Sequence, residues 1–333
     1  MNYAPIIIPT LNRVDHLTKL LDSLRRNSLA QYTDVFIGLD YPPSSLYEEG
    51  YERMCKYLQN DFSCFNSFNI IKRSENFGYL RNVEDLIDQV LQLHDRFIYM
   101  DDDLELSPNF LEYMNKCLTE YEGRDEIIAV CGYSYPLSWV MTDQSNVIRE
   151  NFNCSMWGTG FWKSKYYNMQ KSLKAGGLLN YTSLKVNGNF NRLIDLAKYE
   201  YLNLCLFENP RRYLVENITD ISIRLYLAMK GKFVIIPTLS KVRNCGFDGS
   251  GVYCPQIVRQ KGRLTASNYD YRIQEIDCET SFTLIEDTMN NVVANRRILN
   301  RFDVLPLKYK VRLYVKLVLL KFLGVRNYVK LFS

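Results

Sequence analysis

Short strand-like runs alternate with longer segments of helical spacing through the first 135 residues, and this pattern constrains the fold more than any other feature. The predicted strands are Ala4–Ile8, Asp34–Leu39, Phe68–Ile71, Arg96–Met100 and Ile127–Cys131. Between them, apolar residues recur every three or four positions, as a helix requires. Strands that alternate with helices build an α/β domain with a mainly parallel sheet. A content of 47% hydrophobic and 23% charged residues fits such a domain and excludes a disordered or fibrous chain.

The fourth predicted strand runs directly into three aspartates, Asp101, Asp102 and Asp103. Each carboxylate resists desolvation and repels its neighbours, so the cluster is tolerable where a cation neutralises it. Carboxylate oxygens suit hard divalent ions such as Mg²⁺ or Mn²⁺. In open α/β sheets, ligands bind beyond the carboxyl ends of the strands. The triplet therefore indicates a metal shared with a substrate diphosphate. The alternative is an exposed acidic turn that simply ends a strand.

The segment around the triplet resembles a known family of enzymes. Residues 97–110 read FIYMDDDLELSPNF, which resembles the DxD region of nucleotide-sugar glycosyltransferases of the GT-A fold. The likeness is greatest to the inverting N-acetylglucosaminyltransferase I group, and the segment is also similar to bacterial family 2 glycosyltransferases. Residues 7–13, IIPTLNR, resemble their first-strand motif, and residues 73–82 resemble their third-strand and helix-start region. The resemblance covers about residues 4–250.

The resemblance implies a GT-A-like, Rossmann-type mixed sheet flanked by helices. We expect residues 1–135 to form the half that binds the nucleotide-sugar donor. Residues 136–260 would form the acceptor-binding and catalytic half of the same domain. Residues 261–333 would form a C-terminal extension with a basic amphipathic helix.

Individual site residues follow from the same resemblance. Asp103 takes the place of the metal-binding aspartate. The residues implied to contact the donor are Pro9, Thr10, Asn12, Arg13, Asp40, Asn76, Gly78, Arg81, Asp101 and Asp102. The first four would frame the nucleotide, Asp40 would lie beside the base or ribose, and Asp101 and Asp102 would face the ribose or complete the outer shell of the metal. Arg81 is a candidate for phosphate contact, because a guanidinium forms paired hydrogen bonds with a diphosphate. A surface charge at a helix start is the alternative.

The implied reaction displaces a nucleoside diphosphate from the anomeric carbon of a UDP-sugar by an acceptor hydroxyl, with inversion. Such a step needs a base to take the hydroxyl proton. The chain has two histidines, His16 and His94, both on predicted helices of the N-terminal half, so we expect a carboxylate. Asp220 is the candidate, in the first turn of a helix predicted over residues 217–230, with Glu216 in reserve. Related enzymes keep their catalytic Asp or Glu, which acts as the base, in a comparable place, but Asp is also an ordinary helix-start residue.

Two glycine-containing segments are assigned to the acceptor or to a loop over the site. Residues 157–162, WGTGFW, begin with Trp157 and Gly158 and combine aromatic rings that stack on sugars with flexible backbone. A packed turn is the alternative. Residues 244–251, NCGFDGSG, include Gly246 and Asp248 and could wrap a phosphate or close over a ligand, or form an ordinary loop. Because the chain has no late histidine, the metal would rely on Asp103, the diphosphate and water.

Charge and cysteine content bear on partners and compartment. A net charge of +4 is too small to indicate nucleic-acid binding. Nine cysteines without a CxxC pair, together with two histidines, argue against a zinc site and are typical of a reduced, cytoplasmic protein. The N-terminus lacks the pattern of a signal peptide, and no apolar run is long enough for a spanning helix.

The C-terminal residues 304–333 differ from the rest, because they contain five Lys, two Arg and no acidic residue. On a helix, one face would carry Lys308, Arg312, Lys316, Arg326 and Lys330. A basic face beside an apolar one is typical of a helix that lies on an anionic membrane, which predicts peripheral association with the inner face of the cell membrane. The alternative is a terminal helix docked on its own domain.

The expected function is therefore metal-dependent transfer of a hexosyl or N-acetylhexosaminyl group to a glycan or lipid-linked glycan, in surface polysaccharide or glycoconjugate synthesis. One alternative is a sugar nucleotidyltransferase. It is disfavoured because no glycine lies between Pro9 and Arg13, where those enzymes carry a Gly-rich loop. Another is a catalytically inactive GT-A-like binding subunit, against which the intact triplet argues. A dinucleotide-binding oxidoreductase is disfavoured because no GxGxxG follows a strand.

Overall fold

The structure is a computed structural model that describes residues 3–134, 139–141, 145–151, 154–173, 220–246, 248, 250, 259–260, 263–264, 292–294 and 307–332. Its strands are β1 (Ile6–Thr10), β2 (Asp34–Leu39), β3 (Ser67–Lys72), β4 (Arg96–Tyr99), β5 (Leu104–Leu106), β6 (Ile127–Cys131), β7 (Trp139–Met141), β8 (Val147–Glu150), β9 (Thr159–Trp162), β10 (Phe233–Pro237), β11 (Val242–Asn244), β12 (Arg259–Gln260), β13 (Arg263–Leu264) and β14 (Val292–Ala294). Its helices are α1 (Val14–Arg25), α2 (Glu48–Tyr57), α3 (Gly78–Leu93), α4 (Phe110–Glu120), α5 (Lys163–Leu173), α6 (Asp220–Lys230) and α7 (Leu307–Phe332).

Eight of the strands form one mixed sheet in the order β3-β2-β1-β4-β9-β6-β10-β8. β1 pairs in parallel with both β2 and β4, whereas β9 runs antiparallel to β4 and β6. From β1 the chain proceeds outward to β2 and β3, and then returns to the opposite side of β1 to form β4. A reversal of this kind leaves a crevice at the carboxyl ends of the two central strands, where open sheets bind ligands.

Helices cover both faces of this sheet, as the alternation of strands and helices predicts. β1 is buried along its whole length, and its side chains alternate between the two faces. Ile6 and Ile8 pack with residues of α1, α2 and α4, whereas Ile7 packs with residues of α3, α5, α6 and α7. The α/β class and the mixed sheet flanked by helices are therefore confirmed. The division of the chain at residues 135 and 260 stays a prediction.

The middle of the chain, about residues 140–215, is polar and aromatic and predicts irregular structure, but its described part contains regular elements. β8, β9 and α5 lie there, and β9 is inserted between β4 and β6. Gly160 makes this insertion possible, because a Cβ atom at that position would lie 2.9 Å from Cε of Met114 on α4. Ser107 and Pro108, a capping residue followed by a proline suited to the first helical position, predict a helix start, but α4 begins at Phe110. The Ser107 carbonyl instead accepts the Phe110 N–H at 3.1 Å and forms a turn.

Candidate active site

The acidic triplet lies immediately beyond β4, where the strand order of the sheet reverses. Thr10, the last residue of β1, donates its hydroxyl hydrogen bond to Oδ2 of Asp102 at 2.7 Å. Arg13, just before α1, donates from Nη1 to Oδ2 of Asp103 at 2.9 Å, and its Nη2 bonds to Oδ1 of Asp102. The structure thus brings the ends of the two central strands together through two residues of the first-strand motif and two of the triplet.

Arg13 supplies one positive charge to the triplet in this structure. Asp102 and Asp103 are both buried, and Arg13 bridges them. Burial works against the charge of Arg13, but the two carboxylates outweigh it and raise its pKa above the usual value. Burial raises the pKa of Asp102 in spite of Arg13. With three carboxylates and one guanidinium, the fully ionised cluster keeps two negative charges.

Asp101 differs from its neighbours, because its partners are two tyrosines that the sequence analysis did not single out. Tyr79 of α3 donates to Oδ1 of Asp101 at 3.3 Å, and the Tyr99 hydroxyl bonds to the same oxygen. Burial, followed by repulsion from Asp103, raises the pKa of Asp101 to about 7. Burial of the hydroxyls and the charge of Asp101 raise both tyrosine pKa values well above normal, so both stay donors. The sequence does contain a clue to Tyr99. It lies two residues before Asp101, and residues two apart along a strand point to the same face of the sheet.

The Gly-rich segment packs directly against Asp103. The Cys245 N–H donates to the Asp103 carbonyl at 2.8 Å, and Nδ2 of Asn244 approaches Oδ1 of Asp103 at 3.5 Å. At Gly246, a Cβ atom would lie 2.1 Å from Oδ2 of Asp103. Glycine is therefore required here because no side chain fits between the loop and the carboxylate.

Asp248, from the same segment, faces α1 rather than the triplet. Its Oδ2 lies 2.9 Å from Nε2 of His16, which is also 3.2 Å from the Ser250 hydroxyl. Burial alone would raise the pKa of Asp248, but hydrogen bonds from Ser250 and His16 outweigh it and lower the pKa to about 2. The contact ties the loop to the first turn of α1.

Asp40 holds together two segments at the edge of the crevice. It follows β2, is buried, and accepts the backbone N–H groups of Tyr41 at 2.9 Å and Phe77 at 2.8 Å. Nδ2 of Asn76 donates to its other oxygen at 3.3 Å. Gly78, which begins α3, has a φ of +71°, a conformation that favours glycine. The structure brings Asp40, Asn76 and Gly78 together, and their contact with a donor stays a prediction.

Arg81 has an anionic partner within the protein. Its Nη1 lies 3.1 Å from Oε1 of Glu75, and its guanidinium stacks over the Phe77 ring at 3.5 Å from the ring centre. A cation at a helix start is unfavourable without an anionic partner, and Glu75 supplies that partner within the protein. The phosphate role of Arg81 stays a prediction without this support.

The remaining residues of the N-terminal half lie on the same crevice or beside it. Pro9 is buried within β1. Asn12 lies between β1 and α1, and its carbonyl lies so close to Gly50 that a Cβ there would approach it to 2.8 Å. This contact orients the Asn12 backbone against α2.

Trp157 and Gly158 lie at the same edge of the sheet as the triplet, because Thr159 of β9 pairs with Tyr99 of β4. The Trp157 ring packs edge-on against Tyr133, with ring centres 4.8 Å apart. Gly158 has a φ of +66°, and a Cβ there would lie 2.9 Å from Cγ2 of Val242. Gly158 thus fits the packed-turn alternative, and the contact of Trp157 with an acceptor stays a prediction.

Asp220 is the first residue of α6, and its side chain lies outside the described part of the chain, as does Glu216. The helix itself matches the one predicted over residues 217–230, and Gly231, with a φ of +61°, follows its end. It is anchored by Arg224, whose Nε donates to the Cys154 carbonyl at 3.1 Å. The role of Asp220 as a base stays a prediction.

Within the described residues, no group of three His, Cys, Asp or Glu side chains is arranged to hold a metal ion. The donor set at the triplet nevertheless consists of carboxylates, which suit Mg²⁺ and Mn²⁺. Gly246 also leaves the front of Asp103 free of a side chain. These residues fit an ion that takes some of its ligands from a substrate, and they do not fit a site made by protein alone.

Comparison with solved structures finds distant likenesses. The crystal structure of S. aureus TarS is 14% identical with a TM-score of 0.34, over 53% of this chain and 32% of that one. TarS 1–349 in complex with UDP-GlcNAc is 14% identical with a TM-score of 0.36, over 50% of this chain and 48% of that one. TarS 1–349 is 13% identical with a TM-score of 0.36, over 83% of this chain and 100% of that one. Scores this low carry no argument about activity.

Comparison with protein families gives a definite result. No curated protein sequence matches the chain. The family model described as Glycosyl transferase family 2, however, matches residues 6–168, which include β1, β4 and the whole triplet. The likeness to family 2 glycosyltransferases is thus established for residues 6–168, and the mixed sheet with the triplet at its switch point agrees with the GT-A fold.

Proposed function

We propose that the protein transfers a sugar from a UDP-sugar to a hydroxyl group of a glycan or lipid-linked glycan, with inversion at the anomeric carbon. The observation that carries this proposal is the meeting of Thr10 and Arg13 with the triplet at the switch point of the sheet. This crevice is where open α/β sheets bind nucleotides. The UDP preference rests on the resemblance of residues 97–110 to the N-acetylglucosaminyltransferase I group.

We propose that Asp103 holds a Mn²⁺ or Mg²⁺ ion together with the donor diphosphate and water. Oδ2 of Asp103 is engaged by Arg13, whereas Oδ1 has, among the described residues, only the long 3.5 Å approach of Asn244. Oδ1 is therefore the oxygen available to an ion. A bound divalent ion would offset the two residual negative charges of the cluster and stabilise the leaving diphosphate.

The protein's own residues would hold and orient the reactants around this point. Arg13 fixes Asp102 and Asp103, and it lies close enough to the triplet to contact a phosphate placed there. Tyr99 and Tyr79 orient Asp101, which we assign to the ribose. Asp220 would accept the proton of the acceptor hydroxyl, and the positive end of the α6 dipole would keep it ionised.

We place the reaction in surface polysaccharide or glycoconjugate synthesis, with a hexosyl or N-acetylhexosaminyl group transferred. A lipid-linked acceptor would require the protein to work at the cytoplasmic face of a membrane. The basic helix α7 supplies a surface that could hold it there.

A thermal-shift screen of UDP-, GDP-, CDP- and dTDP-sugars with and without Mn²⁺ tests the donor and the metal. We expect UDP-sugars to stabilise the protein, by roughly 2.7 kcal/mol at a concentration of about 100 times Kd, and the effect to depend on Mn²⁺. Asp103→Ala should lose the metal-dependent part. The matched control is Asp125→Ala, which removes an exposed carboxylate before β6, at the opposite edge of the sheet. If no nucleotide sugar stabilises the wild type, the proposal is wrong.

Product analysis separates the proposed reaction from its alternatives. A glycosyltransferase releases UDP and forms a glycoside, and proton NMR of the new anomeric centre reports inversion or retention. A sugar nucleotidyltransferase would instead form a nucleotide sugar from a nucleoside triphosphate and a sugar phosphate. An inactive binding subunit would bind the donor without turnover for any acceptor in a broad panel.

A further inference from the structure

The C-terminal helix α7 is a helical hairpin that docks on the sheet through one face. Leu317, Leu320 and Tyr328 are buried in the same core as α3 and α5. At Gly324, a φ of +72° and a ψ of 165° interrupt the helix. Nζ of Lys316 lies 5.3 Å from the centre of the Phe332 ring. A straight helix would separate these residues by about 24 Å, so the chain folds back at Gly324.

The first arm of the hairpin leaves an apolar face uncovered. Its exposed residues are Val311, Tyr314, Val315 and Phe322, which expose 56%, 55%, 51% and 73% of their surfaces. Tyr314 and Val315 follow Val311 by three and four residues, and Phe322 follows Val315 by seven. These spacings place the four residues along one side of the helix, and we call this set the α7 stripe. Leu317 and Leu320 lie on the opposite side, toward the core. Exposed apolar side chains grouped in this way mark an interaction surface.

The basic face predicted from the sequence is only partly correct. Lys316 is buried, with its ammonium group over the Phe332 ring, so it does not face solvent with the others. Arg312, Arg326 and Lys330 are exposed. The side chain of Lys308 lies outside the described part of the chain. Arg312 thus lies in the same arm as the apolar stripe, and Arg326 and Lys330 lie in the arm beyond Gly324, so the predicted cations do not share one basic face.

We propose that the α7 stripe docks into the surface of a bilayer that contains anionic lipids. Charge complementarity selects this occupant, because residues 304–333 carry five Lys, two Arg and no acid. Apolar side chains of such a helix enter the boundary below the headgroups, while flanking Lys and Arg side chains reach the lipid phosphates. Among the described helices, none combines the length and hydropathy of a membrane-spanning segment.

A second copy of the chain is a poorer occupant of the stripe. Joining two such tails would bring together two segments that each carry seven cationic residues and no acidic one, and that repulsion opposes association. The docking is independent of the chemistry at the triplet. Its use, which is to bring the crevice to a lipid-linked acceptor, rests on the proposed function.

Vesicle co-sedimentation of the full-length protein tests the proposal, with phosphatidylcholine vesicles that either contain or lack phosphatidylglycerol. The double variant Val315→Gln/Phe322→Gln should bind anionic vesicles at least about tenfold more weakly, because a buried Phe and Val are lost. Arg326→Gln/Lys330→Gln should weaken binding by roughly fivefold per charge. The matched control is Leu46→Gln, which replaces an apolar residue that is 85% exposed far along the chain from α7, and it should bind as the wild type does.

Circular dichroism and stabilisation by UDP-sugar with Mn²⁺ establish that each variant is folded. Equal vesicle binding by the wild type and the stripe variant would overturn the proposal. So would light scattering that shows a dimer dispersed by the stripe substitutions, without vesicle binding by the wild type. Transfer to a soluble acceptor should be unchanged in the stripe variant. Absence of transfer in every protein would count against the proposed function and leave the vesicle result standing.

Discussion

Replacing Gly246 by alanine should place a methyl group on the carboxylate that we assign to the metal. The added Cβ would lie 2.1 Å from Oδ2 and 2.7 Å from Cγ of Asp103, far inside van der Waals contact. Either the loop that carries residue 246 or the side chain of Asp103 must therefore move. The loop is held, because the Cys245 N–H bonds to the Asp103 carbonyl and Asn244 pairs with Leu104 in the β11–β5 ladder. We therefore expect the Asp103 side chain to yield and its contact with Arg13 to break.

The kind of clash sets the expected losses of stability and of metal affinity in Gly246→Ala. Overpacking by one methyl group costs roughly 1–3 kcal/mol of stability. A displaced metal ligand should cost more in function than in stability, because loss of the groups that hold a ligand in place typically lowers metal affinity about 10–100-fold. Gly246→Ala should thus unfold at a somewhat lower temperature and lose most of its Mn²⁺-dependent affinity for UDP, measured by titration calorimetry.

Gly123→Ala is the matched control, because a Cβ at Gly123 would meet no atom within 4 Å. This variant should keep both wild-type stability and UDP affinity. If Gly246→Ala also keeps its Mn²⁺-dependent UDP affinity, Asp103 is not the ligand and the assignment of the site to this loop and carboxylate is wrong.

Three further predictions concern Asp101, Asp220 and Tyr79. Without metal at pH 8, Asp101→Asn should be more stable than the wild type by on the order of 1–2 kcal/mol, a figure reduced for partial exposure. Because the pKa of Asp101 rises from 3.8 to about 7 on folding, ionisation opposes folding. The gain should be absent near pH 4, grow up to about pH 7 and then stay constant, which urea unfolding across this range would show. Asp220→Asn should abolish sugar transfer and leave donor binding intact, and retained turnover would remove Asp220 as the base. Tyr79→Phe should weaken UDP-sugar binding severalfold with little change in stability, as titration calorimetry and thermal unfolding would show, because about one hydrogen bond to Asp101 is lost. Unchanged binding would separate Tyr79 from the donor site.

The parts of the fold that the sequence predicts are those governed by local spacing. The strand predicted over Ala4–Ile8 is observed as β1 at Ile6–Thr10, and the strand predicted over Asp34–Leu39 is observed as β2 with those bounds. The helices α1 and α3 follow the 3.6-residue repeat. The triplet could be placed at a sheet edge because it directly follows such a strand. β9 could not be predicted, because Thr159–Trp162 contains a glycine and forms a strand only when β4 and β6 offer hydrogen bonds on both sides.

The partners of the site residues depend on contacts that local sequence does not encode. Arg13 and Asp103 are 90 residues apart, and His16 and Asp248 are 232 residues apart. No spacing rule predicts either pair. Arg81 is the opposite case, because its partner Glu75 lies only six residues away in the sequence, while its contact with a phosphate stays a prediction.

The position of Arg13 changes the argument that first drew attention to the triplet. Crowded carboxylates need a cation, and a guanidinium already supplies one positive charge, so crowding alone no longer requires a metal. The net charge of the triplet together with Arg13 still favours a bound ion. Three carboxylates and one guanidinium leave two negative charges when all are ionised, and burial together with the charge of Asp103 raises the pKa of Asp101, which favours a proton there. A divalent ion removes the need for that proton, whereas a monovalent ion leaves one charge unbalanced. If the donor binds here as we propose, the ion that arrives with its diphosphate would replace a proton on Asp101, while Arg13 keeps Asp102 and Asp103 in place.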